Sequence, residues 1–140
     1  MKKRRISILL LMILLCDAIC LGGCGKEKKL EKVKSINYTV VPEEDIPEDL
    51  HEIIEPRKEV PFQLTFSDQS YLYIVKGYGE QETGGYNIVV NDFYQAEDTL
   101  YLDTELFGPP ADETVDGRIS YPYIVLKIEL IDMPVTFASQ

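Results

Sequence analysis

Residues 62–76 read FQLTFSDQSYLYIVK, and this stretch decides the fold class. Phe62, Leu64 and Phe66 alternate with Gln63 and Thr65, a period of two that turns one face of a strand toward a core. Ser67-Asp68-Gln69-Ser70 is a polar turn, and Tyr71 to Lys76 is rich in β-branched and aromatic residues. Together they predict a β-hairpin. Downstream the same period recurs. Tyr86 to Phe93 forms a strand, and Leu100, Leu102, Thr104 and Leu106 alternate with Tyr101, Asp103 and Glu105. Tyr123 to Ile131 is the longest run, with Leu126, Ile128 and Leu130 expected inside and Lys127 and Glu129 outside. Val135 to Phe137 is a last short strand.

Upstream, Ile36 to Val41 (INYTVV) has strand composition, and one helix follows it. Ile46, Leu50, Ile53 and Ile54 share a face at helical spacing. Asp45 and Glu48 predict a capping box, with Pro47 in the first turn and Pro56 limiting the helix to about ten residues. The expected fold is mainly β with one short helix (α+β), a small antiparallel β-sandwich or open barrel of six to seven strands.

The N-terminus reads as an address. Lys2, Lys3, Arg4 and Arg5 precede an apolar run from Ile6 to Cys16, too short to span a bilayer and suited to a signal-peptide h-region. Leu21-Gly22-Gly23-Cys24 then places small residues before a cysteine, a pattern that resembles a bacterial lipobox. Asp17 is its one departure. The organisation expected is a lipoprotein signal peptide at 1–23, a lipidated basic tether at 24–35 and a single globular domain at 36–140. Cleavage before Cys24 removes Cys16 and Cys20 and turns Cys24 into a thioether bearing diacylglycerol. No thiol is then left for a disulfide, a nucleophile or a metal. The expected location is the extracytoplasmic face of a bacterial cell membrane.

Of 140 residues, 14 are Lys or Arg and 24 are Asp or Glu, a net charge of −10. Residues 24–140 keep 10 bases and 23 acids, a net −13. Such a balance speaks against nucleic acid, whose phosphates need a basic face. The bases cluster at Lys26, Lys28, Lys29, Lys32 and Lys34, where each is attracted to anionic headgroups by about 1 kcal/mol. Beyond Lys34 only 5 bases face 21 acids.

Gly77 to Tyr86 (GYGEQETGGY) joins two strands with four glycines. It lacks the Gly-Lys-Ser/Thr of a phosphate loop, and Glu82 stands where a dinucleotide fingerprint needs glycine. His51, the one histidine, lies among acids on the helix's polar side and reads as solvated. Asp112, Glu113 and Asp116 do not have EF-hand spacing and read as a solvated acidic loop. Glu43, Glu44, Asp45, Glu48 and Asp49 read as helix-start chemistry, with a docking face for a basic partner as the alternative.

Thr83-Gly84-Gly85-Tyr86 before an alternating strand, Gly108-Pro109 after the next strand, Ser120-Tyr121-Pro122-Tyr123 opening the one after, and the lipobox ahead of all form an ordered set. The set resembles the PrcB family of protease-complex lipoproteins, in its C-terminal domain, over about Tyr71 to Phe137. The resemblance implies a non-catalytic, membrane-anchored subunit that associates with a subtilisin-like protease, with no catalytic residues, no metal and no cofactor apart from the lipid on Cys24. Thr83, Gly84, Gly85, Tyr86 and Pro122 carry over as motif positions. Tyr78, Tyr121 and Tyr123 join them as partner-binding candidates, because tyrosine gives large contact area at low entropic cost. A protease inhibitor and an envelope module binding peptide or glycan are the alternatives.

Overall fold

A computed structural model describes residues 30–139. The signal segment 1–23, Cys24 and the first part of the basic tether lie outside the described residues. The 62–76 hairpin forms in the register its alternation dictates: β3 (Pro61–Ser67) pairs antiparallel with β4 (Tyr71–Tyr78), Leu64 opposite Val75. The turn is held by Asp68, whose Oδ1 accepts the N–H groups of Ser70 and Tyr71, both at 2.7 Å. The Ser70 bond, then the Tyr71 bond, hold the Asp68 carboxyl below the ordinary aspartate range. A depressed carboxyl stabilises the fold above the ordinary value of ~3.9, and that contribution is lost as pH falls through the folded value. Asp68→Ala should therefore lower the melting temperature at pH 7, and the gap to wild type should shrink as pH drops from 4 to 2. A gap that stays constant over that range would refute the assignment.

Eight strands form two open four-stranded sheets among the described residues. β1 (Lys34–Ser35), β5 (Asn87–Gln95), β6 (Leu100–Phe107) and β8 (Val135–Phe137) make the first sheet in that order. β2 (Thr39–Val40), β7 (Tyr123–Glu129), β4 and β3 make the second. All neighbours are antiparallel except β6 and β8. The α1 helix (Glu48–Ile54) covers the outer face of the second sheet, giving three layers. The mainly β, small α+β sandwich is thus the observed architecture.

Two cores follow from this layering. Between the sheets lie Leu72, Ile74, Phe93, Leu100, Leu102, Ile124, Leu126 and Ile128. Between α1 and the second sheet lie Ile46, Leu50, Ile54, Tyr73, Val75 and Val125. The central strands β4 and β7 are therefore buried on both faces, unlike the one-sided strands the alternation predicts. Leu130, expected inside, is 47% exposed because β7 ends at Glu129.

Several boundaries differ from the expectation. The INYTVV run is not one strand. β1 pairs with β5 and β2 with β7, so the chain crosses between sheets at Ile36–Tyr38, and Ile36 packs against the inter-sheet core on the way. Lys34–Ser35, read as tether, is already sheet. Upstream, Tyr94 OH donates to the Leu30 carbonyl at 2.8 Å, and Lys32 Nζ lies 3.4 Å from Asp92 and 5.5 Å from the Tyr94 ring. The described end of the tether is therefore fastened to β5. The helix is shorter than ten residues. Asp45 belongs to a separate 3-10 turn (Glu43–Asp45), Pro47 occupies the cap position, and no side chain caps the helix. The capping box does not form, because the chain is extended at Ile46 and Pro47.

Candidate functional site

The C-terminal ends of β4 and β6 and the N-terminal ends of β5 and β7 lie together, and the loops joining them form the candidate site. The glycine loop is tied to the approach of β7 by backbone pairing. Gln81 and Ser120 exchange N–H···O bonds at 2.8 and 3.0 Å, and Tyr78 N–H donates to the Pro122 carbonyl at 3.0 Å. Ser120 Oγ donates to the Thr83 carbonyl at 2.6 Å. The Thr-Gly-Gly-Tyr and Ser-Tyr-Pro-Tyr segments, 30-odd residues apart in sequence, are thus one unit.

A left-handed backbone calls for glycine here at two positions. Gly79 and Gly85 have φ of 76° and 82°, where side chains are strained. A Cβ on Gly85 would lie 3.1 Å from both Pro109 Cβ and Val115 Cγ1, so the Gly108-Pro109 segment packs directly on the loop. The Tyr86 ring sits over Gly108, where a Cβ would be 3.4 Å from Cε1. Gly84 is different. Its backbone is ordinary, and a Cβ there would meet only Asp116 Oδ1 at 3.4 Å.

The four candidate tyrosines do not form one cluster. Tyr78 faces the first sheet and shares a 2.7 Å hydrogen bond with Thr104 Oγ1 of β6. Lys76 Nζ lies 5.5 Å from its ring centroid. Tyr121 lies on the helix side, 5.6 Å from Lys58 Nζ, and Tyr123 also packs on that side. Thr104 and Lys58 were not singled out in the sequence, where Thr104 was one position of an alternating strand. Near the loops, Val60, Phe107 and Ile119 are exposed apolar residues.

Tyr123 Oη is buried without a hydrogen-bond partner. Burial first, then the carboxylates of Glu43 and Glu55, push its phenol up from the ordinary value. Removing an unsatisfied buried hydroxyl leaves packing intact and ends its desolvation cost. Tyr123→Phe should leave stability unchanged or raise it by up to about 1 kcal/mol in a urea unfolding series. A loss of that size would mean that the hydroxyl is bonded in solution.

The remaining candidates for chemistry disperse. His51 Nε2 lies 3.7 Å from Glu55 on the exposed side of α1. Asp116 is paired with Arg118 at 2.8 Å, so the acidic loop is partly neutralised from within. No three His, Cys, Asp or Glu side chains gather as a metal-holding group among the described residues. No helix among them is long and apolar enough to cross a membrane.

Fold and loops together define a small β-sandwich domain that presents a stapled glycine/tyrosine surface. The family described as PrcB C-terminal matches residues 72–129, from β4 through both loops to the end of β7, and this part of the chain is similar to that family. This family points to accessory subunits of protease complexes rather than to catalytic ones. No curated protein matches the chain, and no solved structure does.

Proposed function

We propose that the protein is a membrane-anchored extracytoplasmic lipoprotein, held by diacylglycerol on Cys24, that serves as a non-catalytic binding subunit of a subtilisin-like surface protease. The observation that carries this reading is the family match across residues 72–129, which takes in both loops of the stapled surface. The basic n-region, short apolar run and Leu21-Gly22-Gly23-Cys24 support the anchor. The exposed Ile119 and the ring of Tyr121 beside the glycine loop supply the apolar contact area that an interface centre requires.

The test is capture of partners by the tagged full chain from detergent-solubilised native membranes, identified by mass spectrometry. A Gly84→Gln/Tyr121→Ala variant runs beside it. Gly84 is chosen because its conformation and surroundings admit a side chain, whereas Gly85 would be strained. A protease recovered by wild type and lost by the folded variant is the expected result. Activity of the captured protease separates an accessory subunit, which leaves turnover intact, from an inhibitor. Recovery of no protease overturns the reading. Cys24→Ala should move the chain from the membrane to the soluble fraction, and retention in the membrane would remove the lipid anchor from the proposal.

A further inference from the structure

β3 is the outer strand of the second sheet. It pairs with β4 along its whole length, from Pro61 opposite Tyr78 to Ser67 opposite Leu72, and among the described residues no strand lies along its other side. The backbone groups left over on that side follow from the alternation of an antiparallel ladder. Asp68 N–H donates to the Tyr71 carbonyl at 3.1 Å, so Phe66, Leu64 and Phe62 are the residues that exchange bonds with β4. Tyr78 confirms the phase from the other end. It is the register partner of Pro61, yet its N–H goes to Pro122 on the β7 side. The N–H and carbonyl groups of Gln63, Thr65 and Ser67, and the Pro61 carbonyl, therefore point away from the sheet.

We propose that this edge pairs with the same edge of a second copy of the chain, antiparallel and centred on Leu64. Open edges accept added strands, and two features select a second copy. The first is charge. Two chains of net charge −10 repel each other, but Pro61–Ser67 carries no charged residue, whereas each of the other long strands carries at least one. Natural edges are usually blunted by charges or bulges, and this one has neither, only a proline at its first position. The second is order. Phe62-Gln63-Leu64-Thr65-Phe66 reads aromatic, polar, aliphatic, polar, aromatic in both directions. About a two-fold axis at Leu64, Gln63 of each copy lies opposite Thr65 of the other, and both have outward-pointing backbone groups. They exchange N–H···O bonds, and each Ser67 N–H reaches the other copy's Pro61 carbonyl. Pro61 has no N–H to leave unpaired. Leu64 meets its own counterpart and Phe62 meets Phe66, on the face that already packs toward the α1-side core. Such cross-strand pairs are what stabilise a sheet. The result is one continuous eight-stranded sheet, in which the Pro61 end of each copy, beside its glycine loop, meets the Ser67 end of the other.

This pairing goes beyond the protease reading, and its test involves no protease. The full chain in density-matched zwitterionic detergent is followed by sedimentation equilibrium from about 10 µM to about 1 mM, the range of weak association. Two copies per particle should appear as concentration rises. Residue-resolved amide exchange should be fast at Gln63, Thr65 and Ser67 in single chains and at least tenfold slower in the pair, with Leu64 and Phe66 slow in both. Gln63→Lys/Thr65→Lys sets like charges face to face and should weaken pairing at least tenfold, as should Gln63→Glu/Thr65→Glu. An equimolar mixture of the two variants should pair again, a rescue that loss of folding cannot produce. Four outcomes overturn the proposal: single chains throughout the range, pairing indifferent to both charge variants (the mark of two chains sharing a micelle), no rescue in the mixture, or slow exchange at Gln63, Thr65 and Ser67 in single chains.

Discussion

Gly79→Ala should be among the most destabilising single-methyl additions in this protein, lowering stability by about 3 kcal/mol. Two effects combine. The residue sits at φ 76°, where a side chain crowds its own carbonyl, for roughly 1–2 kcal/mol. The new Cβ would also lie 2.9 Å from Pro61 N and 3.1 Å from Val60 C. These are backbone atoms, already held by the Glu80 N–H bond to the Glu59 carbonyl at 3.1 Å, so no side chain can swing aside. For a domain of about this size, each kcal/mol moves the melting temperature by several degrees, so thermal unfolding followed by circular dichroism should show a fall of about 10 °C or more. Gly84→Ala, a few residues along the same loop, should change stability by less than about 0.5 kcal/mol. Equal effects at the two sites would mean that the loop conformation is not the one described.

Leu126→Ala should cost about 3–4 kcal/mol. Leu126 is fully buried between the sheets, at the centre of β7, with Ile74 beside it in the ladder. Neighbours on both sides are themselves strand residues, which relax little into a void, so the cavity persists and adds to the lost transfer energy. Against a total stability of about 5–15 kcal/mol, that leaves the domain marginal. Leu130→Ala, at a position the same alternation assigns to the same face, should be close to neutral because the side chain is half exposed beyond the end of β7. Urea midpoints of the two variants measure the difference directly, and similar shifts would contradict the burial pattern.

That pair of leucines marks what the sequence could and could not convey. The 62–76 hairpin was legible because its period, its polar turn and the Asp68 side chain all favour one register. The apolar face of α1 was legible as well, and so were the loops as glycine-rich and motif-bearing segments, though not that they meet at one end of the domain. The three-layer arrangement was not. Val75 and Val125 face α1 while Ile74 and Leu126 face the first sheet, and a run such as YIVL carries no sign of which partner covers which side. The crossing at Ile36–Tyr38 was hidden because two-residue strands are too short to show a period. The parallel pairing of β8 depends on the path of the loop before it, held by Leu100 N–H on the Pro134 carbonyl, which no local pattern encodes. At the site, the loop residues were foreseen, but the separation of Tyr78 from Tyr121 and Tyr123 follows from which face each strand position takes.

The Tyr94–Leu30 hydrogen bond fixes more than a tether. Tyr94 lies at the far end of β5 from Asn87, where the glycine loop enters that strand. At roughly 3.2–3.4 Å per residue, the nine residues of β5 set the two ends about 26 Å apart. The domain is therefore a polar object with a fastened end and a presenting end. Anything attached upstream of Leu30 holds one end, and the stapled loops project from the other like the head of a mast. A rigid strand, rather than a flexible linker, then sets how far from its attachment the domain meets what it binds, and lengthening the tether would add slack without turning that face around.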